Sequence, residues 1–150
     1  MAKVSVEDVL EHARGFEQEL AAYFRNIADN TTRDGVRLIA DYMSRHRLRL
    51  EGALRDMSPE QRKRLKRVML PFDPEVADCH CFEELQLTPD STAAEVLDAA
   101  IRLDSCLVSL FKQALQETVD PVARELFESL VRSEERDAVR LKKMKAMDYF

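Results

Sequence analysis

Residues 126–141 read LFESLVRSEERDAVRL, and this stretch decides the fold. Its apolar residues recur at the spacing of one face of an α-helix. Glu134 and Asp137 interrupt this apolar stripe, and because they are three positions apart they lie on one helical face. The stretch therefore predicts a long helix that turns two carboxylates towards the protein interior.

The same apolar periodicity occurs in three earlier stretches, 9–27, 36–54 and 96–115. Helix starts are marked by side chains that cap the first turn, at Ser5, Ser58, Thr92 and Asp120. Two of these caps, Ser58 and Asp120, are followed by a proline, which suits the first helical position.

We therefore predict one all-α domain over residues 1–150, built as a four-helix bundle without β-sheet. A helix pair over 5–56 and a helix pair over 92–148 form two hairpins. They are joined by a long crossover, 57–91, that contains a short basic helix.

Composition agrees with a helical protein and excludes several functions. Gly (3), Pro (5) and Trp (0) are scarce among the 150 residues. The net charge of −5 disfavours general nucleic-acid binding. No apolar run has the length of a membrane span or the form of a signal peptide. Three cysteines without spaced pairs predict no disulfide framework, so we expect a cytoplasmic protein.

Polar side chains interrupt every long apolar stripe near its middle. They are Glu17, His46, Asp104, Glu134 and Asp137. Helix midpoints share one level in an antiparallel bundle, so these five side chains can converge. Desolvated carboxylates need a compensating charge, and carboxylate with imidazole suits iron or manganese. In the alternative, each acid turns to solvent or pairs with an arginine. Tyr23 and Tyr42 also have two interpretations, since they can lie beside the site or simply pack in the core.

The two helix pairs also carry corresponding features in the same order, which predicts a diverged duplication. The corresponding positions are Glu17 and Asp104, Phe24 and Phe111, Met43 and Glu134, and His46 and Asp137.

In these residues the chain resembles the rubrerythrin-like branch of the ferritin-like superfamily. The second half carries the clearest likeness, through AIRLD at 100–104, Phe111 and LFxxLxxxExxD at 126–137. The first half adds AxxxE at 13–17, Tyr23-Phe24 and IAxxMxxH at 39–46. The resemblance implies a ferritin-like bundle and covers nearly the whole chain except the crossover.

The resemblance also implies a metal site. The family holds two irons with Glu, Glu-x-x-His, Glu and Glu-x-x-His on four successive helices, and rubrerythrins use the site to reduce peroxide. Glu17, His46 and Glu134 match this pattern. Asp104 is a shorter carboxylate, Asp137 stands where the second His is expected, and Met43 replaces a bridging Glu.

These departures imply a partly degenerate iron or manganese site that holds one metal through Asp104, Glu134 and Asp137, with Glu17 and His46 close by. The implied role is iron or oxidative-stress chemistry, with catalysis left open. The chain lacks the family's four-cysteine iron domain, so redox chemistry would need an external electron donor. The alternative is a non-enzymatic helical bundle that serves as an interaction or dimerisation module.

Three other features are weaker signals. Cys79-His80-Cys81 offers soft ligands, but its spacing is unusual for zinc, and ordinary loop cysteines are favoured. The basic run 62–67 is typical of a solvated helix face, with an acidic partner as the alternative. The apolar run 68–72 predicts a homodimer if it is exposed.

Overall fold

The computed structural model describes residues 4–46, 49–70 and 85–147, without the side chains of residues 46 and 49. The helices are α1 (Val6–Asn30), α2 (Asp34–His46), α3 (Arg49–Arg55), α4 (Pro59–Arg67), α5 (Ala93–Glu117) and α6 (Pro121–Ala146). The strands are β1 (Val4–Ser5) and β2 (Met69–Leu70). The prediction of an all-α class is confirmed.

The helices begin where the sequence predicts, because side chains bind the amide groups that a first helical turn leaves without a helical acceptor. Each cap oxygen accepts a backbone N–H three residues further on. The pairs are Ser5 with Asp8 (3.0 Å), Ser58 with Gln61 (3.1 Å), Thr92 with Glu95 (3.2 Å) and Asp120 with Ala123 (3.1 Å).

Packing joins the helices in two pairs. α1 packs along α2 and α5 packs along α6, while α2 also contacts α5 and so links the pairs. The buried apolar residues form one continuous cluster across both pairs. Phe24, Phe111 and Phe127 are completely buried in it, and the ring centroids of the last two are 6.3 Å apart.

The prediction of no β-sheet is wrong in one place. β1 and β2 form a two-residue antiparallel ladder in which Val4 pairs with Leu70. Val6 also donates its N–H to the carbonyl of Val68 at 2.8 Å. The ladder exists because the chain leaving α4 returns to the start of α1, an approach that helical periodicity does not reveal.

The same ladder bears on the apolar run 68–72, which would support a homodimer if it were exposed. Leu70 is completely buried, whereas Met69 beside it is 49% exposed. Residues 71 and 72 lie outside the described part of the chain. The homodimer stays a prediction, now without a continuous apolar strip over 68–70 to support it.

The cysteine prediction also needs correction. Cys106 on α5 is disulfide-bonded, although the sequence suggested no disulfide. Cys79-His80-Cys81, which contains the other two cysteines, lies outside the described residues. Disulfides are typical of oxidising compartments, so the cysteines no longer support the cytoplasmic location, which stays a prediction. Within the described residues, no helix is both long and apolar enough to cross a membrane.

Candidate functional site

The four predicted carboxylates all lie in the protein interior. The exposed fractions are 1% for Glu17, 0% for Asp104, 1% for Glu134 and 2% for Asp137. They project from α1, α5 and α6, and the last two share one face of α6. The alternative in which each acid turns to solvent is therefore wrong.

The interior charge of the described residues is entirely acidic. These four carboxylates are the only buried Asp, Glu, Lys or Arg side chains in the ranges 4–45, 50–70 and 85–147. Removing an ionised carboxylate from water is expensive without a compensating proton, cation or set of hydrogen bonds. Each of these four buried acids therefore needs compensation of this kind.

Glu17 has a structural contact that sequence reasoning missed. Its Oε2 accepts the backbone N–H of Leu50 at 3.1 Å in a buried hydrogen bond between α1 and α3. This bond ties the α1 carboxylate to the backbone of α3, a contact that only the packing of α1 against α3 creates.

Tyr42 links α2 to α6 through a second buried acid. Its hydroxyl donates to Oδ1 of Asp137 at 3.0 Å. Donation to the carboxylate holds it in one orientation. Of the two alternatives for Tyr42, beside the acids or packed in the core, the structure shows contact with one acid, Asp137.

Tyr23 lies elsewhere, at the end of the crossover. Its hydroxyl donates to the carbonyl of Leu87 at 3.1 Å and accepts the N–H of the same residue at 3.0 Å. Burial raises the pKa of Tyr23, and the backbone bond to Leu87 offsets part of that rise. Tyr23 therefore ties α1 to the chain shortly before α5.

The position on α2 that would carry a bridging carboxylate is apolar. Met43 is 1% exposed, and its thioether is a poor ligand for hard cations. Among the described residues, no group of three or more His, Cys, Asp or Glu side chains is placed to hold a metal ion. The His46 side chain lies outside the described part, so the five-residue ligand set stays a prediction.

The basic run on α4 is partly neutralised by acids of other elements. Arg62 pairs with Glu11 at 3.3 Å, and Arg64 pairs with Asp120 at 2.7 Å. These contacts favour the interpretation of a solvated helix face that also ties α4 to its neighbours.

No protein-family model matches the chain, and no curated protein or solved structure is significantly similar to it. The resemblance to rubrerythrin-like proteins rests on the quoted residues alone.

Proposed function

We propose that the chain is a ferritin-like helical bundle that binds one divalent cation, iron or manganese, at its buried carboxylates. The observation that carries this proposal is the burial of four carboxylates on three helices. A divalent cation offsets two negative charges and binds carboxylate oxygens favourably.

The donor set fits one cation better than two. Glu134 and Asp137 lie on one face of α6, and Asp104 lies on α5, which packs along α6. These residues would supply the oxygen ligands, with Glu17 and His46 in support. Met43 offers no bridging carboxylate, which argues against a coupled pair of metals. A bound iron would supply redox chemistry, for which electrons must come from an external donor.

Tyr42 supports the proposed site without itself being a ligand. Its hydroxyl donates to Oδ1 of Asp137 and orients that carboxylate. Hydrogen bonds of this kind orient metal-binding groups and raise metal affinity.

The test is metal binding by chelator-treated protein, measured by calorimetry and by thermal melting with manganous or anaerobic ferrous ion. We expect about one metal per chain. At a free metal concentration about a hundred times the dissociation constant, linkage contributes about 2.7 kcal/mol, or about 5 to 11 °C in melting temperature.

Two variants on α6 make the test specific. Glu134→Gln removes a buried charge and should abolish the metal-dependent rise in melting temperature. Glu125→Gln makes the same change at an exposed position of α6 and should leave that rise intact.

Met43→Glu should restore a bridging ligand and allow a second metal to bind. If neither ion changes the melting temperature of the wild type, the chain is better described as a helical scaffold without a metal.

A further inference from the structure

A surface cavity of about 500 Å³ opens between α1, α3 and the start of α4. Its volume lies within the range of small-molecule sites in proteins. Arg14, Arg55 and Arg62 line it together with Glu51, and Leu54 and Met57 add an apolar part. None of the proposed metal ligands lines this cavity.

The charges around the cavity leave an excess of cations. Glu11 lies 3.7 Å from Arg14 and 3.3 Å from Arg62, so one carboxylate serves two guanidinium groups. Glu51 accepts a hydrogen bond from the Gln18 amide at 3.2 Å. Arg55 forms no ion pair within the described residues. Three guanidinium groups thus face two carboxylates, in a chain whose net charge is −5.

The apolar part of the cavity restricts the kind of anion that fits. Leu54 is 3% exposed and belongs to the core, so its packing holds this part of the wall in place. Met57 is half-buried beside it, and its flexible thioether side chain adapts to different apolar shapes. An anion with an apolar body fills the cavity better than a bare inorganic ion does.

We propose that this cavity binds a small organic phosphate, a phosphate monoester with a short apolar group. The planar guanidinium fork matches the spacing of phosphate oxygens and forms paired, charge-assisted hydrogen bonds with them. The phosphate balances the excess of guanidinium over carboxylate around the cavity, and the apolar group contacts Leu54 and Met57. This site is independent of the proposed metal site.

The experiment is isothermal titration of the full chain with phenyl phosphate at low salt, with inorganic phosphate and benzoate as comparison ligands. We expect saturable binding at one site per chain that weakens as salt is added. Phenyl phosphate should bind more tightly than inorganic phosphate, because only the ester contacts the apolar wall. It should also bind more tightly than benzoate, because a phosphate offers more oxygens to the arginines.

Arg55→Gln is the decisive variant, because Arg55 is exposed and its removal orphans no described ion-pair partner. The dissociation constant of this variant for phenyl phosphate should rise by about tenfold or more, because a charge-assisted hydrogen bond to the phosphate is lost. Arg132→Gln, an exposed change on α6, should bind as the wild type does. Absence of saturable binding, equal weakening in both variants, or tighter binding of benzoate would overturn the proposal.

Discussion

Replacing Tyr42 with Phe removes one hydroxyl and leaves the ring that packs against the core. That hydroxyl donates to Asp137 at 3.0 Å, and Asp137 is 2% exposed. A hydrogen bond to a charged group contributes about 1.5 to 3 kcal/mol to folding. For a chain of this length the loss corresponds to a fall of about 3 to 12 °C in melting temperature.

The assay is thermal and urea unfolding followed by circular dichroism, with the same change made in an Asp137→Asn background. The neutral amide oxygen accepts a weaker hydrogen bond, so Tyr42→Phe should cost less there. Metal affinity should also fall, by about 10- to 100-fold, if Asp137 is a ligand oriented by this contact. An unchanged melting temperature, or an equal cost in both backgrounds, would refute the reasoning.

Three further changes probe the rest of the fold. Tyr23→Phe should lower the free energy of unfolding by about 1 to 3 kcal/mol, because both hydrogen bonds to Leu87 are lost. Burial raises the pKa of Tyr23 more than the hydrogen bond to Leu87 lowers it, so the neutral form stabilises the fold below about pH 10, and this contribution disappears as the pH rises through the folded pKa. Melting temperatures measured in alkaline buffers check this. A Tyr23→Phe variant that is equally sensitive to alkali would contradict it. The hydrogen bond from Arg25 lowers the pKa of Asp41 despite an opposing effect of burial, so this pair should stabilise the fold above about pH 4 and lose its effect in acid. Between pH 7 and pH 2, the melting temperature of Arg25→Gln should therefore fall less than that of the wild type. An identical fall would exclude the pair as its cause. Phe127→Ala should cost about 3 to 5 kcal/mol in urea unfolding, and a cost below about 1 kcal/mol would contradict its central place in the core.

The helices and their first turns were predictable from sequence because their causes are local. An apolar residue every three or four positions defines a helical face, and a capping side chain binds an amide only three residues away. The same periodicity placed Glu17, Asp104, Glu134 and Asp137 on the apolar faces of their helices. Whether each acid is buried or turns to solvent was left open by the sequence, and the packing of the helices decided it.

Contacts between distant residues were decided only by the tertiary structure. The bond from Leu50 to Glu17 depends on how closely α3 approaches α1, and the pairing of Val4 with Leu70 depends on where the chain leaves α4. Both follow from the rotation and spacing of whole helices, which sum many packing interactions across the core. Sequence periodicity records which face of a helix is buried, but it carries no information about which partner that face meets.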